Sequence, residues 1–124
     1  MEHVFVYGTL LPGEVRWHHL APFVIGDGVG DSVDGTLYDT GVGYPAARFG
    51  TGSTVHGQTF ALRADTAVDA LRLLDEVEGA VEGLYVRRSI TTHRGITVWA
   101  YEYGHGLTLT AIAHGSWLAH RQRP

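Results

Sequence analysis

The 124-residue sequence contains no cysteine. That absence excludes a disulfide framework, a thiolate nucleophile and any cysteine-ligated zinc or iron–sulfur site, and it fits a reducing compartment. Lysine is missing as well, and with nine arginines against thirteen acids the formal charge is -4, so no broad basic face exists to neutralise a phosphate backbone. Nucleic acid is not expected as a partner. No apolar run approaches the length that spans a bilayer, and Met1-Glu2-His3-Val4-Phe5-Val6 is not a cationic segment followed by a long apolar one. The expectation is a cytoplasmic protein without a membrane partner.

What is present describes a folded chain. Hydrophobic residues make up 44% and charged residues 18%, more apolar and less charged than a disordered chain. The length suits a single domain over 1–124. Seventeen glycines are scattered through the chain, punctuating many short strands and turns. Strands are expected at 3–7, 23–29, 33–38, 54–62, 84–91 and 96–103, each rich in β-branched or aromatic residues. Six strands at such short spacing favour a barrel or a strongly curved sheet.

One helix is expected from Asp65 to Val77, with Asp65 as N-cap and Gly79 as the stop. Ala67, Leu71 and Leu74 form its apolar stripe, and the next step of that stripe is Glu78. Asp75 and Glu76 then project toward water or a rim. An inward carboxylate has its charged form disfavoured by desolvation, which raises its pKa and suits it to proton transfer near neutrality. The same period also allows a helix that ends before Glu78, leaving its side chain solvated or capping a neighbouring backbone group.

A second signal is Tyr7-Gly8-Thr9-Leu10, which closes the first strand. Gly8 permits close backbone approach, so the following N–H groups can form a small concavity for a carboxylate or oxyanion. An ordinary strand-to-loop turn has the same pattern.

Other constellations carry less. The eight histidines show no zinc-ligand spacing, so no metal is expected. Arg16, Trp17 and the His18-His19 pair are placed at a cavity rim or in a surface turn with a packed Trp. Arg48 is either a contact for a substrate carboxylate or a solvated side chain. Ser32, Ser53, Ser89 and Ser116 lack a nucleophile-elbow motif, and Gly28-Val29-Gly30 lacks the rest of a dinucleotide fingerprint. Residues 110–120 are compatible with a short helix or an extended segment.

Taken together, Val4-Phe5-Val6-Tyr7-Gly8-Thr9-Leu10 and Leu74-Asp75-Glu76-Val77-Glu78-Gly79, followed by Tyr85-Val86-Arg87, resemble the γ-glutamylcyclotransferase-like (AIG2-like) family. The resemblance continues through Gly35-Thr36-Leu37-Tyr38-Asp39, Gly43-Tyr44-Pro45-Ala46, Val55-His56-Gly57 and Ala100-Tyr101-Glu102-Tyr103. It implies an α+β fold: a small mixed barrel of five to six strands with one main flanking helix and short helical segments. It further implies Glu78 as catalytic acid/base, with Tyr7, Gly8, Thr9 and Leu10 holding a γ-glutamyl group and Tyr85 close by. The implied reaction uses no cofactor and forms 5-oxoproline from a γ-glutamyl amine or amino acid, releasing the free amine. A non-catalytic small-molecule binding module using the same cavity is the alternative, and a monomer or weak homodimer is expected. The segment Gly79-Ala80-Val81-Glu82-Gly83-Leu84 departs from the family pattern by an extra acid, Glu82, expected near the cavity mouth.

Overall fold

The backbone runs β1 (His3–Val6), α1 (Trp17–Leu20), a 3₁₀ turn (Ala21–Phe23), β2 (Val24–Asp39), β3 (Pro45–Leu62), α2 (Ala67–Val77), β4 (Tyr85–Thr91), β5 (Thr97–Tyr103), β6 (Thr110–Ile112) and α3 (Trp117–Arg121). The computed structural model describes residues 1–41, 43–79, 85–103 and 109–121, with Thr51 through its backbone alone. Its six strands form one mixed sheet in the order β4-β5-β1-β3-β2-β6. The β1–β5 pair is parallel and the other pairs are antiparallel. The sheet curls into a half-barrel, the α+β class expected from sequence.

The two strands expected at 23–29 and 33–38 are one 16-residue strand, and β3 begins at Pro45, well before Thr54. Glycine-rich stretches that read as breaks are bends inside a single long hairpin. The β2–β3 register slips between Ile25 and Val29 and again between Asp34 and Gly35, and such bulges let long strands follow a curled sheet. Toward the C-terminus both expected conformations occur, a strand at Thr110–Ile112 and a helix at Trp117–Arg121.

Strand alternation sends Val4 and Val6 to one face and Phe5 and Tyr7 to the other. The first face packs on Leu20 of α1 and on Ala67, Ala70, Leu71 and Leu74 of α2. The second packs with Val33, Leu37, Val55, Val98 and Trp117. Leu74 is fully buried, and a side chain of that size contributes about 1.5–3 kcal/mol by leaving water. Helix α2 starts at Ala67 with Thr66 as N-cap, not at Asp65, whose carboxylate lies 3.8 Å from Arg63 Nε in an exposed pair. Its stop is the expected one: Gly79 takes φ +71°, a left-handed conformation that suits glycine, and donates to Glu76 O at 3.1 Å. Among the described residues no helix is long and apolar enough to cross a membrane.

Candidate active site

The site begins where β1 ends. Gly8 lies flat against Pro45, the first residue of β3; a Cβ at position 8 would sit 2.4 Å from Pro45 Cγ and 2.8 Å from Cδ. Only glycine lets the chain pass so close. The following turn is closed by Leu11 N–H donating to Gly8 O at 3.0 Å and Arg16 N–H donating to Thr9 O at 2.9 Å. Gly8, Thr9 and Leu10 are buried, yet among the described residues no acceptor takes their backbone N–H groups. Buried donors of this kind normally find a partner. Three unspent donors in succession are the kind of backbone arrangement that can hold an anion.

Glu78 faces the same place. It is the C-cap of α2 and continues the Leu71, Leu74 stripe, with its own N–H donating to Leu74 O at 2.9 Å. Its side chain is 13% exposed, and it lines one cavity with Tyr7, Gly8, Thr9, Leu10, Tyr44 and Tyr101. The interior leaves about 20 Å³ open to the centre of a water molecule, room for about one water. Of the lining residues Tyr44 and Glu78 are the two most exposed, so the mouth lies between them.

Burial pushes the Glu78 carboxyl up from 4.5 to about 7, with the Arg16 guanidinium pulling the other way. Arg16 Nη1 is 3.9 Å from Glu78 Oε2, beyond hydrogen-bonding distance, and no hydrogen bond from the described residues reaches the carboxyl. The aromatic neighbours offer no acid to compete with it. The Tyr7 hydroxyl donates to Tyr101 O at 2.5 Å, Tyr85 to Pro45 O at 2.8 Å and Tyr101 to Asp75 Oδ1 at 2.6 Å. Burial raises the pKa of all three phenols. Among the described residues, the group in this hollow that burial brings to about neutral pH is the Glu78 carboxyl.

The structure thus brings Tyr7, Gly8, Thr9, Leu10 and Glu78 to one cavity. Tyr85 is not among the residues lining it; it stands behind Pro45 and supports it. Glu82 lies outside the described residues. Asp75 is half-buried and engaged: it receives Arg87 through Nε at 2.9 Å and Nη2 at 3.3 Å, as well as the Tyr101 hydroxyl. Its partners come from β4 and β5, contacts that helical period does not encode. Trp17 packs on Phe60 at 5.1 Å between ring centroids, and the Arg48 guanidinium lies 5.3 Å over the Tyr103 ring. Among the described residues no group of three His, Asp or Glu side chains is arranged to hold a metal.

Of the two places read for Arg16 the structure has the cavity rim, where it reaches Glu78, Val77 O (Nη1, 3.4 Å) and the Tyr44 ring (5.5 Å). One arrangement escapes sequence reasoning. Ser32 Oγ and His93 Nδ1 are 2.7 Å apart, and His93 Nε2 is 2.7 Å from Asp34 Oδ1. No motif announces that chain. It is open to solvent, with His93 42% and Asp34 70% exposed, and water screens charges there. Together with His93 N–H donating to Ser32 O at 2.8 Å, it fastens the turn between β4 and β5 to β2.

A model of the family described as gamma-glutamyl cyclotransferase, AIG2-like, matches residues 4–119. No curated protein matches the chain. Among solved structures, protein ytfP from Escherichia coli is 33% identical, with 97% of this chain and 99% of that one covered and a TM-score of 0.61. An uncharacterized protein from Pyrococcus horikoshii is 20% identical over 98% and 93% of the two chains, with a TM-score of 0.73. An AIG2-like protein from Mus musculus is 21% identical over 94% and 88%, with a TM-score of 0.70. The last two likenesses speak for the fold. With the match running through both the β1 exit and the end of α2, the chain belongs to the gamma-glutamyl cyclotransferase, AIG2-like family.

Proposed function

We propose that the protein is a γ-glutamyl cyclotransferase-type enzyme that forms 5-oxoproline from a γ-glutamyl amine or amino acid and releases the free amine. One observation carries this reading: a carboxyl poised to titrate near pH 7 shares a cavity with three buried, unspent backbone donors. The substrate brings its own nucleophile. Glu78 as carboxylate takes a proton from the α-ammonium, and the amine attacks the γ-amide carbonyl, forming the ring C–N bond. The oxyanion that develops lies against the N–H groups of Gly8, Thr9 and Leu10, where a single donor is typically worth about 10² to 10³ in rate. Glu78 then returns its proton to the departing nitrogen as the original amide bond breaks, and the second proton that the ring nitrogen sheds leaves with the released amine, which departs as its ammonium. Ring closure is intramolecular, with effective molarities that reach about 10⁵ M or more when the geometry is held.

The test is incubation of the purified protein with a panel of γ-glutamyl amines and γ-glutamyl amino acids, with 5-oxoproline read by mass. Wild type is expected to turn over at least one member, and Glu78→Gln none while staying folded. Undiminished turnover by that variant removes Glu78 from the mechanism. Ligand-induced stabilisation without product across the panel assigns the cavity to binding alone.

A further inference from the structure

A γ-glutamyl group carries an α-carboxylate beside the amine that reacts, and the cavity must receive that charge without spending the donors that face the oxyanion. The backbone donors lie in the buried part of the cavity, whereas its mouth lies between Tyr44 and Glu78. Arg16 stands at that mouth. Its guanidinium is 5.5 Å over the Tyr44 ring and 3.9 Å from Glu78 Oε2, with the side chain 32% exposed. Its protein contacts are weak ones, a long ion pair and a 3.4 Å bond from Nη1 to Val77 O. Most of a five-donor fork therefore remains for a ligand. Its backbone is better fixed, because Arg16 N–H donates to Thr9 O at 2.9 Å and ties it to the loop that holds the other donors.

The neighbouring cations are differently engaged. Arg87 is held in a two-point pair by Asp75, and Arg48 lies over Tyr103. Among the described residues Arg16 is the one cation in an ion pair with Glu78.

We propose that Arg16 is the specificity-determining residue of this site, a cation at the cavity mouth that binds the α-carboxylate of the γ-glutamyl group. The inference rests on the cyclotransferase reading above and assigns the carboxylate to the side chain, leaving the Gly8 to Leu10 amides for the oxyanion. In the free protein Arg16 faces Glu78; in the complex the substrate carboxylate takes over as its counter-charge. Among the described residues the other titratable groups around Glu78 are the phenols of Tyr7, just after β1, Tyr85 of β4 and Tyr101 of β5, with Tyr44 at the mouth. The transfer leaves Glu78 without its cation at the step where it must take up a proton.

The test compares two ligands that differ at one group, 5-oxoproline and 5-oxoprolinamide, by calorimetric titration of the intact protein. Wild type is expected to prefer the carboxylate ten-fold or more. Arg16→Gln erases that preference by weakening 5-oxoproline alone, and Arg16→Lys keeps part of it. A carboxylate-to-amide ratio unchanged in Arg16→Gln overturns the proposal, even where both affinities fall together. Turnover of γ-glutamyl substrates with that unchanged ratio sinks Arg16's role and spares the enzyme reading. If wild type binds neither ligand and turns over nothing in the panel, the reading and the proposal fall together.

Discussion

Replacing Glu78 by glutamine keeps the shape of the side chain and removes its titration, so the difference between the two proteins isolates what burial does to one carboxyl. That carboxyl titrates at about 7 in the folded chain against an ordinary 4.5. The folded state therefore holds the proton more tightly than the unfolded state. The stability this confers is fully present below about pH 4.5 and is lost as the pH rises through about 7. At 1.36 kcal/mol per pH unit, the gap corresponds to about 3 kcal/mol. With an unfolding entropy of about 2 cal/mol/K per residue, that is about 12 °C in melting temperature for a chain of this length. Urea unfolding of both proteins from pH 4 to pH 8.5 is the assay. The free-energy difference, glutamine variant minus wild type, is expected to grow by about 3 kcal/mol across that range and to level off above pH 8. A constant offset reflects the amide itself and is not diagnostic; the pH-dependent part is. Parallel curves would show that Glu78 is hydrated in solution, and the proton-transfer chemistry assigned to it would lose its physical basis.

In the proposed reaction Glu78 acts as the carboxylate, so kcat/KM for a γ-glutamyl substrate is expected to rise through about pH 7; a profile flat from pH 5.5 to 8.5 contradicts this. Gly8→Ala forces a methyl group into the Pro45 ring, an overpacking that costs about 1–3 kcal/mol. Denaturant unfolding measures the loss, which should accompany reduced activity. Tyr85→Phe leaves the Pro45 carbonyl without its donor, a loss of about 1–3 kcal/mol for a buried group. An unchanged melting temperature would show that another donor replaces the phenol.

Local patterns were readable in this sequence and long-range ones were not. The helical stripe of α2, its termination at Gly79 and the alignment of Glu78 with that stripe follow from a 3.6-residue period and one left-handed glycine. The helix start is not fixed by the sequence, because Asp65 and Thr66 are both acceptable caps, and Asp65 lies beside Arg63. The long β2–β3 hairpin looks like separate pieces in sequence, since glycines that bend a strand and glycines that end one look alike until the partner strand is known. Asp75 shows the same limit in the site. Its helical position points it sideways, but the Arg87 and Tyr101 that claim it come from two other strands.

Pro45 touches more of this site than its position at a strand start suggests. Gly8 rests on its ring while its carbonyl receives Tyr85, so one residue is wedged between the first strand's exit and β4. A displacement of the β4–β5 hairpin would reach the loop by two routes, directly through the β5–β1 pairing and the Tyr7 hydroxyl on Tyr101 O, and from β4 through the Pro45 ring. Substitutions far out on that hairpin can therefore shift the backbone of the loop while every side chain lining the cavity stays the same.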